Sequence, residues 1–139
     1  MERKYTRIDS VRQILDNDLK AIQDEEIKRC AYVHLYGVGQ AAAFLAMKRG
    51  YSRKCAELAE TAGMLHDYTK YVFDEEENHA KKSAFYAKQI LKRIPEYTEE
   101  EIELIKKYSL QELFIMEVKK LVWKKHLCIS TIMLRMRLN

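Results

Sequence analysis

The sequence predicts an all-α fold, a compact helical bundle formed by a single domain. The chain has 139 residues, which is about the length of one domain. It contains only four glycines and one proline, whereas β-rich domains usually use more of both in their turns. Apolar residues also recur with helical spacing in successive segments, and polar capping residues precede these segments.

The first two predicted helices are a short one and a long one. Asp9 or Ser10 is predicted to cap the short helix. Asp24 is predicted to begin the long helix, which ends at Gly50. After Cys30 the long helix is apolar around most of its circumference, which predicts that it lies at the centre of the bundle.

Two further helices are predicted in the middle of the chain. Ser52 is predicted to cap the third helix, which continues without interruption to Lys70. The helical pattern weakens over residues 72–77, where we expect a loop. Asn78 is predicted to cap the fourth helix, and Pro95 closes it.

The C-terminal part begins with a distinct helix start and then changes in character. Thr98 and Glu101 have the spacing of a capping box, and the helical pattern continues to about Leu127. Residues 96–139 contain no Asp, Gly or Pro, and their apolar residues are not confined to one stripe. This part of the chain therefore gives the least regular pattern.

We assign residues 1–139 to one domain, with a core at 24–105 and an atypical tail at 106–139. The tail carries eight Lys or Arg and two Glu, so it is basic while the rest of the chain is slightly acidic. A basic segment can attract nucleic acid or anionic lipid. Its lysines, however, have the spacing of one solvated helix face, and we do not expect nucleic acid as a partner.

Cysteine usage and hydropathy indicate a cytoplasmic protein. The three cysteines have no metal-binding spacing, and an odd number argues against a disulfide framework. No stretch approaches the ~18 apolar residues of a membrane span, and residues 1–10 lack the apolar core of a signal peptide. We therefore expect no membrane partner, and the sequence is compatible with a homodimer.

The segment AGMLHDYTKY, residues 62–71, places His66 and Asp67 side by side after an apolar run. Burial of either side chain without a partner is costly, so a metal ion, a hydrogen-bond network or solvent at a helix end must compensate it. His34 lies among apolar residues of the long helix. On a continuous third helix, Lys70 would face the same small volume as His66 and Asp67.

Three glycines lie within the predicted helices close to these histidines. Gly37 and Gly39 follow His34, and Gly63 lies about one turn before His66. A glycine inside a helix costs roughly 1 kcal/mol relative to alanine. These positions therefore predict the close approach of another helix or of a ligand.

Imidazole nitrogens and a carboxylate oxygen, completed by water, suit a divalent transition metal such as Fe, Mn, Zn, Co or Ni. Such an ion lowers the pKa of bound water, and Lys70 would neutralise an anionic substrate, which points to hydrolysis of a phosphate ester or anhydride. Two structural explanations remain open. His34 can be a core histidine bonded to a carbonyl, and His66 with Asp67 can be a pair at a helix end.

Four motifs follow one another along the chain: HLYGV at 34–38, the small-residue run QAAAFLA, AGMLHDYTKY, and NHAKKSA at 78–84. This series resembles the HD-domain phosphohydrolase superfamily, in particular compact bacterial HD proteins that include symmetric diadenosine tetraphosphate hydrolases and uncharacterised relatives. The likeness covers about residues 24–105. It implies an all-helical fold of the HD-domain type that holds a divalent transition metal.

The resemblance also implies roles for single residues. His34, His66 and Asp67 would be metal ligands, and His79 would bind a second metal or the phosphate. Lys70 would contact the phosphate. Together Asp67, Lys70 and His79 would serve a metal-dependent phosphohydrolase that uses metal-activated water on a nucleotide or another small phosphorylated molecule.

The tail departs from the family pattern, which places a further His and a final Asp on the last two helices. The present chain has no Asp after Asp74, and His126 is its one later histidine. Glu112 or Glu117 can supply an oxygen ligand instead. The alternative function is a non-catalytic or impaired metal- or nucleotide-binding module. A different explanation of the tail is a shifted reading frame, in which the codons of residues 113–116 spell Ile-Tyr-His.

Overall fold

A computed structural model provides the structure of the protein, and it describes residues 4–110. This part of the chain forms helices connected by short loops and contains no strand. The helices are α1 Arg7–Lys20, α2 Glu25–Lys48, α3 Arg53–Leu65, α4 Tyr68–Val72, α5 His79–Lys92 and α6 Glu99–Leu110. The predicted all-α fold is confirmed.

Most helices begin where the sequence predicts. Asp24 caps α2, Ser52 caps α3, and Asn78 is the N-cap residue of α5. Thr98 and Glu101 form the predicted capping box at the start of α6, with reciprocal hydrogen bonds of 3.1 and 3.2 Å. Side-chain capping bonds therefore determine where α2, α3 and α6 start, whereas Asn78 makes no such bond at the start of α5.

The predicted start of α1 is wrong by one turn. The helix begins at Arg7, with Thr6 as its N-cap residue, rather than after Asp9 or Ser10. The Thr6 N–H donates to the Asp9 carboxylate at 3.0 Å. Asp9 is thus the third helical residue of a capping box, a position that also favours acidic side chains.

The prediction of one continuous third helix is also wrong. α3 ends at Leu65, and α4 begins at Tyr68. Between them Asp67 has φ −114° and ψ 23°, outside the helical region. The break therefore falls at the His66–Asp67 pair, which lies in a turn instead of on one helix surface.

α3, rather than α2 as predicted, is the most central of the described helices, because it packs against α1, α2, α5 and α6 and eight of its 13 residues are buried. α2 packs most extensively against α3. By length and composition it could cross a membrane, since its most apolar 18-residue window has a mean hydropathy of 1.2. The expectation that no stretch approaches a membrane span is therefore wrong for α2. Ala31, Leu35 and Ala42 of α2 are buried, whereas Phe44 and Met47 are about half exposed, so one side of α2 lies in the core.

Arg7 joins three helices of the bundle. Its guanidinium contacts Glu57 of α3 at 2.6 Å and forms two hydrogen bonds to Glu101 of α6, at 2.9 and 2.8 Å. The same group lies 4.5 Å from the ring centroid of Tyr97. This cluster connects the first described helix with the last one.

Several predictions concern later residues and lie outside the part of the chain that the structure describes. They are the helix end near Leu127, the alternative ligands Glu112 and Glu117, the later histidine His126 and the shifted frame over 113–116.

Candidate metal centre

α2 and α3 cross in direct backbone contact at Gly39 and Gly63. A Cβ atom on Gly63 would lie 2.8 Å from the Gly39 Cα and 2.9 Å from the Gly39 N and the Val38 O. A side chain does not fit at this point. The crossing brings His34, on α2, close to the C-terminal end of α3, so the predicted close helix approach is confirmed for Gly39 and Gly63.

His66 and Asp67 occupy the turn between α3 and α4. Each residue is 3% exposed, so two polar side chains are buried next to each other. The backbone N–H of Lys70 donates to the Asp67 carbonyl at 3.1 Å and starts α4. Because the chain turns here, both side chains point toward α2.

Three potential ligand atoms converge at this turn. The Nε2 of His66 lies 2.9 Å from the Asp67 Oδ2. The Nε2 of His34 lies 3.0 Å from the same oxygen and 3.3 Å from the His66 Nε2. The side chain of His34 is 26% exposed, so the cluster opens to solvent beside α2.

The tautomer of His66 follows from its second hydrogen bond. Its Nδ1 lies 2.6 Å from the Gly63 carbonyl oxygen, which can only accept, so Nδ1 carries a proton. In a neutral ring Nε2 then presents a lone pair to the ionised Asp67 carboxylate at 2.9 Å. A cation or an additional proton is needed between these two atoms.

His79, at the start of α5, lies against the other oxygen of the same carboxylate. Its Nε2 is 3.3 Å from the Asp67 Oδ1, and its side chain is 35% exposed. Its Nδ1 donates to the Glu76 carbonyl at 2.8 Å. Like His66, His79 therefore directs Nε2 toward Asp67, with the opposite ring nitrogen held by the backbone.

Tyr71 forms one wall of the cluster, although the sequence analysis did not select it. Its ring lies 5.6 Å from the His34 ring, centroid to centroid. Burial, together with the negative charge of Asp67, raises the pKa of Tyr71 to about 12. The phenol is therefore neutral at physiological pH. No pattern in the sequence singles Tyr71 out, because tyrosine is common on helices and the contact with His34 joins two different helices.

Lys70 has a different position from the one expected on a continuous helix. The break at Asp67 changes the relative direction of the side chains, and the Lys70 Nζ lies 5.8 Å from the centroid of the Tyr71 ring. Tyr71 in turn packs on His34. Lys70 thus lies against Tyr71, the ring that also packs on His34.

The three converging atoms have the chemistry and the spacing of a metal site. His34, His66 and Asp67 each offer one ligand atom, all within 4.8 Å of one another. Bonds of about 2.1 Å place neighbouring ligands roughly 3.0 Å apart in octahedral and 3.4 Å apart in tetrahedral geometry. The observed separations of 2.9, 3.0 and 3.3 Å agree with these values. Histidines that bind metal usually donate their other N–H to a carbonyl or carboxylate, as His66 does.

A comparison with protein families agrees with this geometry. The family model of the HD domain matches residues 31–130. The chain belongs to the HD domain family. In this HD domain the match extends beyond residue 105, where the sequence likeness was expected to end, and includes His34, His66, Asp67 and His79. Comparisons with curated proteins and with solved structures find no match.

Proposed function

We propose that this HD domain is a metal-dependent phosphohydrolase that acts on a nucleotide or another small phosphorylated molecule. One observation supports this proposal above all others: two imidazole Nε2 atoms and one carboxylate oxygen converge within 3.3 Å of one another. The HD domain family suggests the same chemistry.

His34, His66 and Asp67 would hold the ion. When bound, a divalent ion of the Fe, Mn, Zn, Co or Ni group provides a Lewis acid for phosphoryl oxygens and makes water more acidic. The Gly63 carbonyl keeps the His66 ring in the tautomer that presents Nε2 to the site. Burial of His66 and Asp67 keeps competing water away from these two ligands.

His79 is suited to proton transfer. Its Nδ1–H is held by Glu76, so in the neutral ring the lone pair is on Nε2, the nitrogen that faces Asp67. The Asp67 carboxylate at 3.3 Å would stabilise the imidazolium after Nε2 has accepted a proton. The same nitrogen can then donate that proton to the leaving group, and its partial exposure gives a substrate access.

Lys70 would bind substrate at the rim of the site. Its ammonium lies over Tyr71, whose other neighbour is His34, so a phosphate beside His34 would be within reach of a flexible lysine side chain. The free thiols of Cys30 and Cys55 agree with a reducing, cytoplasmic location, which we propose as well.

The replacement Asp67→Asn tests the proposal because it removes the ligand charge at constant size. We expect the purified variant to contain no transition metal by elemental analysis and to have no detectable turnover in a screen of nucleotides and phosphate esters. Asp74→Asn is the matched control, since Asp74 is an exposed aspartate in the next loop. Full metal content in Asp67→Asn would contradict the proposal.

A second candidate function is a metal- or nucleotide-binding module without catalysis. The absence of any Asp after Asp74 favours it, because the family is expected to supply a distal aspartate ligand. Such a module would contain metal and bind nucleotides in calorimetric titrations, yet it would hydrolyse none of them. Turnover that is lost in Asp67→Asn would exclude this alternative.

A further inference from the structure

Two buried hydroxyl groups connect α4, the helix after the His66–Asp67 turn, to α5, the helix that carries His79. The His66–Asp67 turn is called the HD turn below. Thr69 is on α4 and Ser83 is on α5, and both residues are 0% exposed. Their oxygens lie 3.0 Å apart. Ser83 Oγ accepts the backbone N–H of Thr69 at 3.1 Å, and Thr69 Oγ1 donates to the carbonyl of His79 at 3.2 Å.

The donor and acceptor of each hydrogen bond in this series follow from the two backbone groups at its ends. The Thr69 N–H can only donate, and the His79 carbonyl can only accept. Ser83 must therefore donate its own proton to Thr69 Oγ1, and Thr69 must donate to His79. Each polar atom in the buried chain thus has a partner, which is the condition for burying hydroxyl groups without a large penalty.

Thr69 also anchors the loop between the HD turn and α5. Its carbonyl accepts the N–H groups of Phe73 and Glu75, at 3.1 and 3.3 Å. Two residues of this loop, Asp74 and Asn78, have left-handed φ values of 53°. Such conformations persist when the surrounding structure holds them. Thr69 therefore bonds to both ends of the loop, through its carbonyl to Phe73 and Glu75 and through its hydroxyl to His79.

We propose that Thr69 and Ser83 are positioning residues that hold the imidazole of His79 against Asp67. The separation of 3.3 Å between His79 Nε2 and Asp67 Oδ1 depends on where the first turn of α5 lies. The hydroxyl chain fixes this turn relative to α4, which follows Asp67 directly. A catalytic role of His79 rests on the proposed function, whereas the position of its ring does not.

The variant Thr69→Val removes the hydroxyl and keeps the shape of the side chain. Thr61→Val is a matched control, because Thr61 is equally buried and its hydroxyl bonds to Glu57 in the helix and to Tyr97, away from His79. Thr69→Ser should restore the wild-type behaviour, and Ser83→Ala should reproduce that of Thr69→Val. These two variants keep the test valid if Thr69→Val folds poorly.

The first measurement is the NMR spectrum of the imidazole nitrogens in the metal-free full-length protein. We expect wild-type His79 to show the single tautomer protonated at Nδ1. In Thr69→Val and Ser83→Ala we expect a mixture of tautomers, and in Thr61→Val the wild-type pattern. Unchanged His79 signals in both Thr69→Val and Ser83→Ala would overturn the proposal.

The second measurement is the affinity for Co²⁺, used as a spectroscopic probe. We expect Thr69→Val to weaken Co²⁺ binding about tenfold, the lower range for groups that orient ligands. The same replacement should have no further effect when His79 is already alanine. An equal loss with and without His79 would overturn the positioning role. A wild-type protein that binds no Co²⁺ but shows the expected NMR change would contradict the proposed function alone.

Discussion

His66 shows how one side chain serves both the fold and the site. Nδ1 is bonded to the backbone of α3, and Nε2 faces Asp67 and His34. The two nitrogens therefore have different functions, and they can be separated by substitution. An asparagine amide reaches the place of Nδ1, whereas a glutamine amide reaches the place of Nε2.

We predict that His66→Asn keeps the hydrogen bond to Gly63 and loses the ligand. The midpoint of urea unfolding in the metal-free protein should stay close to that of the wild type, while Co²⁺ affinity falls at least about 100-fold. His66→Gln should show the converse pattern, with a lower urea midpoint. Equal Co²⁺ affinity in His66→Asn and the wild type would show that Nε2 binds no ion.

The sequence could predict some of these residues because their signal is local. His34, His66 and Asp67 are expensive polar groups in apolar segments, and such groups stand out without a structure. Tyr71 and Thr69 do not, since both residue types are common on helices. Their roles depend on contacts with α2 and α5, which no pattern within one helix contains.

At the scale of helices, the crossing of α2 and α3 determines the distance between His34 and His66. The three atoms nearest to a Cβ on Gly63 would all be backbone atoms of α2, at 2.8–2.9 Å, whereas a Cβ on Gly39 would meet a side-chain atom, the Met64 Cγ at 2.7 Å, before the Glu60 carbonyl oxygen at 3.0 Å. The two glycines thus differ in how easily the surroundings can adapt. Gly63 is the more restrictive position.

We predict that Gly63→Ala destabilises the protein by about 1–3 kcal/mol despite the better helix propensity of alanine, because the helices must separate. Co²⁺ affinity should fall with it, since the separation moves His34 away from the HD turn. Gly39→Ala is the comparison and should cost less. Thermal unfolding and Co²⁺ titration of both variants would test this order, and a neutral Gly63→Ala would contradict it.

The ion pairs of Arg7 form a second connection between helices. Hydrogen bonds from Arg7, above all, lower the pKa of Glu101 to about 2, from an ordinary value of 4.5. A carboxylate with a depressed pKa stabilises the fold above the unfolded-state value. Its contribution is therefore complete above about pH 5, and it is lost as the pH falls toward 2.

We predict that Glu101→Gln removes this pH-dependent contribution, which amounts to about 3 kcal/mol for a shift of this size. The difference in unfolding free energy between wild type and variant should be largest at pH 7 and vanish near pH 2. Glu103→Gln is the control, since Glu103 is exposed and paired with Lys88. A difference that stays constant across this pH range would contradict the assignment.

The starts of α2, α3 and α6 were predictable, whereas the start of α1 and the break between α3 and α4 were not. Asp24, Ser52 and Thr98 cap helices through bonds to residues two or three positions away, so the sequence contains both partners. No glycine or proline lies at the break at Asp67, so the sequence contains no helix-ending signal there. The backbone leaves the helical region there, and the side chains of the turn meet residues of other helices.

At the scale of the whole molecule, the candidate site lies where three separate segments meet. α2 supplies His34, the α3–α4 turn supplies His66 and Asp67, and α5 supplies His79. None of these segments contains a complete set of ligands. An ion bound by His34, His66 and Asp67 would therefore connect helices that separate on unfolding, and metal binding must be linked to the stability of the bundle.

We predict that a divalent transition metal raises the unfolding temperature of the metal-free protein. At a free metal concentration 100 times the dissociation constant the stabilisation is about 2.7 kcal/mol, which corresponds to roughly 10 °C for a domain of this size. Chelator should reverse the shift. Asp67→Asn should show no shift, whereas Asp74→Asn should retain it. A shift of equal size in Asp67→Asn would place the ion elsewhere, because the two remaining imidazoles lack the carboxylate that completes the group.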